Sequence, residues 1–308
     1  MPEYVVIGIG LLLAGLYAPF SYDEAFITYR YAENLSRGLG LVYNPGERFL
    51  GTTGPGWAIL LGGLSRFLPF LSVPQWSAIL SGLALLGVGI AVVRLMQRWS
   101  TGGWAVWAAV ACMAHPLIIM PIGGEVVPVM ALVLMAWVQI LGLGSKAEKK
   151  LLSSARNAPV RILLDLAMIG YGVWHFQHWL EDVPDPRQSV QRQLAAWFRT
   201  ATPPGCSIMG EEIGFMGYEL LDYRVYDVWG LVTPGLAEAI LHRDIVYGVQ
   251  RYQPDYYIAY PAAGASVDSV RAIPLQPWFQ RTYRPIFQLN NTGLFYAPYI
   301  TIYEQVSP

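Results

Sequence analysis

The hydrophobic pattern divides the chain into two unlike halves. Tyr4 to Tyr22 runs for 19 residues without a charge, enough to cross a bilayer core of about 30 Å at roughly 1.5 Å per residue. No basic residue precedes that run and no small-x-small cleavage site follows it, so it reads as a span rather than a signal peptide. Three more runs qualify. Ser77 to Val93 is uncharged and closed by Arg94 and Arg98, Gly103 to Ile122 carries only His115, and Val126 to Ser145 is uncharged. A fifth, Val160 to Leu180, contains Asp165, with Arg161 four residues earlier on the same helix face as its partner. Trp57 to Leu71 is apolar but short and interrupted by Arg66, which predicts an interfacial or re-entrant segment.

Positive charge orients these spans. With the N-terminus inside and Trp57 to Leu71 not crossing, Ser77 to Val93 runs inward and delivers Arg94 and Arg98 to the cytoplasm. The next pair turns outside at Gly123-Gly124-Glu125 and returns to Lys146, Lys149 and Lys150, all three lysines of the protein. About five spans satisfy the rule. The prediction is an α-helical polytopic membrane domain over 1–182, with an outer loop at 21–76, then a small extracytoplasmic α/β domain over 183–308. Localisation in the cell (inner) membrane follows, with the C-terminal domain outside.

Beyond residue 183 the period shortens. Gln188 to Thr200 has helical spacing and ends at Pro203-Pro204-Gly205. Cys206–Met209, Arg224–Val228 and Tyr256–Tyr260 read as short strands, and Leu294–Tyr303 as a longer one. Pro234 to Tyr252 reads as one helix, with Thr233 as N-cap and Pro234 in the first turn. Alternation of this kind predicts a partly parallel sheet.

Charge sharpens the division. Residues 1–144 hold six acids and six bases, 8% of positions, whereas residues 145–308 hold the other 29 charges, 18%. A soluble domain averages about 25%. The net charge of −1 provides no basic patch for nucleic acid. Two cysteines make no disulfide framework. Walker, Rossmann and G-x-S-x-G motifs and Cys/His metal spacings are absent from the sequence.

Few residues can carry chemistry. Ser21-x-x-Glu24 forms a capping box and Gly38 a C′ stop, so a helix of about four turns starts where the first span ends. Asp23 and Glu24 lie in its first turn. Two readings stand side by side there: carboxylates offsetting the helix dipole, or a general base at the membrane–water boundary. Glu125, the only charge between Arg98 and Lys146, is either turn polarity or a second acid facing the same outer space. His175, His178 and Asp182 share a helix face, as metal ligands or as part of an interfacial belt with Trp174 and Trp179. His115-Pro116 reads as a kink, and Glu211-Glu212 as a loop after a strand.

Three stretches carry a resemblance. Asp23-Glu-Ala-Phe-Ile-Thr-Tyr-Arg-Tyr-Ala-Glu-Asn-Leu35 is the first. Gly38-x-Gly-Leu-Val-Tyr-Asn-Pro-Gly-Glu-Arg48 is the second, and Gly51-Thr-Thr-Gly-Pro-x-Trp57 the third. Together they resemble the first outer loop of GT-C type membrane glycosyltransferases. The closest likeness is to the bacterial branch that includes the mycobacterial arabinofuranosyltransferases, with protein O-mannosyltransferases more distant. Gly123-Gly-Glu-x-x-Pro128 resembles the family's second-loop Gly-Leu-Glu-Thr-Pro, with one extra residue before the proline. Val225-Tyr-Asp-x-x-Gly-Leu-Val-Thr-Pro234 and Gln253-Pro-Asp-Tyr-Tyr257 resemble the outer C-terminal domain. Between Gly144 and Val160, where members carry several more spans, this chain has a lysine-rich linker.

The resemblance implies inverting transfer of a sugar from a polyprenyl-phosphate donor to an acceptor hydroxyl at the outer membrane face. It implies that Asp23 is the catalytic base, with Glu24 its neighbour. Arg30 and Arg48 are candidates for the cation that receives the leaving phosphate, and Glu125 is a candidate substrate contact. The resemblance assigns no certain cofactor and leaves room for a divalent cation. The partners implied are the polyprenyl-linked sugar, a glycan, lipid or protein acceptor, and membrane lipid. The missing spans leave an alternative: a shortened, inactive relative that binds lipid or a partner.

Overall fold

The computed structural model describes residues 2–17, 22–97, 104–115, 124–142, 186–261, 269–294 and 296–306. The chain divides into two compact units. Unit 1 comprises 1–25 and 70–184, and unit 2 comprises 26–69 and 185–308. The protein is mostly helical with a small C-terminal sheet. Residues 26–69, the greater part of the expected outer loop, cluster with the C-terminal domain rather than with the apolar helices.

Unit 1 holds α1 (Pro2–Tyr17), α4 (Val73–Met96), α5 (Trp104–Met113) and α6 (Val126–Gly142). Val6, Leu85, Val93, Ala105, Ala109, Met113 and Val127 form its core. Helices α1 and α4 run antiparallel. Glu3 pairs with Arg94, and Gly10 and Ala14 lie against Leu86 and Gly82, so partner numbers add to nearly the same total along the pair. Glycines set the spacing: a Cβ at Gly89 would lie 2.5 Å from Met113 Sδ and 2.7 Å from Val6 Cγ1. At α4, Ser72 and Gln75 form a capping box ahead of a 24-residue apolar helix.

Among the described residues α4 is the one helix long and apolar enough to cross a membrane. The helices covering Glu3–Leu16 and Val126–Gln139 are apolar but shorter. Val160–Leu180, the lysine cluster and the His175/His178/Asp182 group lie outside the described residues.

Unit 2 opens with most of α2 (Asp23–Ser36) and with α3 (Pro55–Phe67), then continues from α7 (Pro186–Ala201). Ala32 and Leu35 lie directly against Gly62, so α3, the segment expected at the interface, packs one face on α2. Its other face leaves Ile59, Leu60 and Phe67 exposed.

Five strands follow: β1 (Ser207–Gly210), β2 (Arg224–Asp227), β3 (Tyr256–Ala259), β4 (Tyr283–Leu294) and β5 (Ala297–Gln305). Their order is β2-β1-β3-β5-β4, with β1 parallel to β2 and β3, and β5 antiparallel to β3 and β4. Short helices α8 (Gly214–Glu219), α9 (Leu236–Leu241), α10 (Tyr247–Tyr252) and α11 (Pro277–Thr282), and a 3₁₀ turn at Val270–Leu275, fill the connections.

Two expectations are corrected. The strand expected over Leu294–Tyr303 is largely β5, and it pairs antiparallel with a strand not expected, β4, the two joined where Leu294 pairs with Ala297. Pro285, which argues against a strand, sits on β4 at the sheet edge, where a missing N–H donor is tolerated. The single helix expected over Pro234–Tyr252 is two. Arg243 takes φ 62° and breaks it, and Asp244 Oδ1 accepts the Tyr247 N–H (3.1 Å) to start the second. Thr233 caps neither helix. Its Oγ1 donates to Asp227 Oδ1 (2.7 Å) and accepts from the Asp227 N–H (2.8 Å).

Candidate functional site

The acids singled out in the sequence open helices in unit 1. The Tyr22 carbonyl accepts the Ala25 N–H (3.0 Å), and Asp23 and Glu24 form the first turn of α2. Their surroundings differ: Asp23 is buried, 5% exposed, and Glu24 is exposed. Ser21, the expected cap, lies outside the described residues. Glu125 immediately precedes α6, with its carbonyl accepting the Val129 N–H (3.0 Å) and its side chain half-buried. Each carboxylate therefore sits at the positive end of a helix dipole, worth about 0.3–1 kcal/mol apiece. Burial is what sets Asp23 apart from the other two.

Arg30 and Arg48 belong to unit 2 and take opposite parts. Arg30 is fully buried. Its Nε donates to the Tyr43 carbonyl (2.8 Å), Nη1 to the carbonyls of Leu220 (3.0 Å) and Gly217, and Nη2 to Asn44 Oδ1 (3.2 Å) and the Tyr223 carbonyl (2.7 Å). All five N–H donors of the guanidinium are therefore engaged. The phosphate contact expected of Arg30 has no free donor here, and the side chain fastens α2 to the segment around α8 and β2. Burial lowers its pKa, against the attraction of Tyr43 and Glu47. Arg48 is exposed.

Most of the motif that carries the resemblance is scaffold in the same sense. Asn44 Nδ2 donates to the Val225 carbonyl (3.0 Å), and Asn44 Oδ1 accepts the Val225 N–H (3.0 Å). Tyr43 OH donates to the Ile213 carbonyl (2.8 Å). Tyr31 OH donates to the Phe49 carbonyl (3.0 Å) and accepts the Gly51 N–H (2.8 Å). A Cβ on Gly51 would meet the Leu231 carbonyl oxygen at 1.9 Å, so only glycine fits beside the Val225–Pro234 stretch. That stretch turns on Asp227, whose carboxylate accepts the N–H groups of Leu231 (2.5 Å) and Val232 (3.0 Å).

A separate polar group gathers at the carboxyl edge of β1 and β3. Glu211 follows β1, and both its oxygens accept from Arg271: Nε at 3.0 and 3.1 Å, Nη2 at 2.9 Å. Glu212 accepts from Arg187 Nη1 (3.5 Å) and Tyr296 OH (3.4 Å). Tyr260 follows β3, and its hydroxyl accepts from Gln191 Nε2 (3.1 Å) on α7. Arg271 lies 5.9 Å from the Tyr260 ring centre and 5.7 Å from that of Tyr296, within cation–π range. The hydrogen bonds that Arg271 donates to Glu211 raise the Arg271 pKa. Burial, then Glu212, lifts the Tyr260 phenol well above its usual value, so it stays protonated.

Of this group the sequence reading picked out Glu211-Glu212 alone. Arg187 and Gln191, four apart on one helix face, were the available signal for α7. Arg271 and Tyr296 come from irregular segments and carry none. Among the described residues no three His, Cys, Asp or Glu side chains are grouped to hold a metal ion.

Residues 180–303 match the model of a family described as a domain of unknown function (DUF8728), which spans this sheet domain and its polar group. No curated protein and no solved structure matches the chain.

Proposed function

We propose that the chain is an inverting membrane glycosyltransferase of GT-C type, acting at the outer face of a cell membrane on a polyprenyl-phosphate sugar. Burial of Asp23 at the first turn of α2, directly after the apolar α1, carries this reading. In the reaction, Asp23 takes the proton of the acceptor hydroxyl as that oxygen bonds to the anomeric carbon. The bond from that carbon to the phosphate oxygen breaks, and polyprenyl phosphate leaves with the electron pair. A cation must steady the leaving phosphate. Arg48 keeps an exposed guanidinium, while Arg30 is fully engaged. The five-span arrangement belongs to the same proposal. Antiparallel α1 and α4, with Glu3 beside Arg94, support a first span running out and the next running back.

A second reading, an inactive relative that binds lipid or a partner, draws support from the structural work done by Arg30, Asn44 and Gly51. Turnover decides between them. The purified full chain is given a polyprenyl-phosphate sugar and membrane acceptor, and release of polyprenyl phosphate is measured. Asp23→Asn keeps shape and capping capacity but loses the basic oxygen, so turnover should fall about 10²- to 10⁴-fold with folding unchanged. Near-normal turnover in Asp23→Asn would assign Asp23 to structure. No turnover in the wild type would leave the binding reading standing.

A further inference from the structure

The two edges of the sheet are finished differently. In the order β2-β1-β3-β5-β4 the outer strands are β2 and β4. The N–H and C=O of one strand residue point to the same side. In β2 both of these groups on Val225 are taken by the Asn44 side-chain amide, at 3.0 Å each. Asn44 thus stands where a further strand would pair, and β2 is closed. β4 has β5 on one side and, among the described residues, no strand on the other. It runs for 12 residues, against four in β2. A bare edge of this kind offers a row of backbone donors and acceptors to a second strand.

Charge is the usual guard of such an edge, and Pro285 to Leu294 is ten residues without one. The register with β5 shifts between Pro285 and Phe287 and again between Asn290 and Leu294, which leaves a regular ladder over 287–290. Irregularities at both ends confine further pairing to that short stretch. Side chains alternate within it. Gln288 and Asn290 are exposed on one face, with Gln288 Nε2 donating to Asn290 Oδ1 (2.6 Å). Phe287 and Leu289 occupy the other and are only half-buried, with Phe287 stacked on Trp197 of α7 at 5.0 Å between ring centres. An antiparallel copy of the same strand fits this pattern. Side chains directly opposite each other must share a face, so a two-fold axis has to pass through a residue and not between two. With the axis at Gln288, that residue meets the partner's Gln288, and Phe287 meets the partner's Leu289 on the apolar face, twice over. An axis at Leu289 would set Phe287 against the partner's Asn291, and an axis at Phe287 would run the pairing across the irregularity at Pro285.

We propose that β4 pairs antiparallel with β4 of a second copy of this chain, centred on Gln288, so that two sheets join edge to edge. The same patch serves both copies, as a two-fold interface requires. Asn44 closes β2, so each sheet has one open edge and assembly stops at two copies instead of growing into a filament. The proposal is independent of the transferase reading, because association and not turnover tests it.

Opposed side chains in an antiparallel pair have Cβ atoms roughly 4.5–5.5 Å apart. Gln288→Cys in the full chain should therefore cross-link to its partner on mild oxidation, both in the membranes of the expressing cell and after detergent extraction. Arg284→Cys lies four residues from the axis, about 26 Å from its own mate at roughly 3.3 Å per residue, and should not cross-link. The wild type, with Cys112 and Cys206, is the background control. Light scattering of the solubilised protein over a concentration series then reads the dimer. Gln288→Lys sets two like charges face to face, and so does Gln288→Glu. Each alone should weaken the dimer tenfold or more, and the two mixed in equal amounts should pair with each other and recover it. Gln288 is exposed, so both variants should keep the wild-type circular dichroism. Absence of the Gln288→Cys cross-link in both settings would overturn the proposal and leave the edge to a strand of another protein. Equal cross-linking of Arg284→Cys would overturn it too, as would a dimer that both charge variants leave at full strength.

Discussion

Gly89 and Arg30 show how differently the two units are joined. In unit 1, α1, α4 and α5 meet where Gly89 leaves room for Val6 and Met113 and where Gly10 and Gly82 admit Leu86 and Ala14. In unit 2, α2 is fixed by a buried guanidinium with five donors satisfied, by Asn44 bridging to β2 and by tyrosine hydroxyls on backbone carbonyls. Unit 1 thus depends on shape and unit 2 on hydrogen-bond geometry. Under the proposed membrane placement, a bundle like unit 1 gains most from contact area, because the surrounding tails are as apolar as its side chains. A domain like unit 2 gains specificity from polar networks, provided every member is satisfied. A substitution should therefore loosen the unit that holds it and spare the other.

The largest test is Arg30→Met, which keeps length and apolar stem but strands the carbonyls of Tyr43, Gly217, Leu220 and Tyr223. Unit 2 should lose about 3–5 kcal/mol, seen as faster hydrogen exchange in α2, α8 and β2. Exchange in α1 and α4 should stay as in the wild type. Equal loosening in both units would end the distinction between them.

Next comes Gly89→Leu. Its side chain would start 2.5 Å from Met113 Sδ, and overpacking of a filled interior costs about 1–3 kcal/mol. A lower melting temperature for the detergent-solubilised helices, with β-sheet exchange unchanged, is the expected result. An unchanged melt would mean that α1, α4 and α5 are not held by close approach.

These residues also show what was legible in the sequence. Strands β1, β2 and β3 lie within a residue of where short apolar runs place them, because buried parallel strands announce themselves by composition. The edge strand β4 was hidden by Pro285 and by polar, exposed positions such as Arg284, Gln288 and Asn290. The break at Arg243 was hidden because a left-handed residue other than glycine has little local signature. Among candidate site residues, Asp23 and Glu24 were readable from the helix start that they mark. Arg30 was readable as a charge but not as a buried one. Its partners lie up to 193 positions away in the chain, and no local pattern reports a contact of that range.

The smallest effect probes unit 1 at the ion pair between α1 and α4. Glu3 on α1 and Arg94 on α4 stand 3.4 Å apart, with side chains 43% and 57% exposed. Pairs this open are worth about 0.2–1 kcal/mol, screened by salt. So little energy cannot hold the bundle, but it can report its direction. If α1 and α4 are antiparallel as their glycine contacts require, Glu3→Arg should bring two like charges together and lower the melting temperature slightly, and Arg94→Glu should do the same. The double exchange, Glu3→Arg with Arg94→Glu, should restore the wild-type melt in low salt. All four proteins should converge as salt is raised, because the interaction is at the surface. Single and double variants whose losses simply add would mean that the two helix ends do not meet, and the antiparallel pairing of α1 with α4 would fall with them.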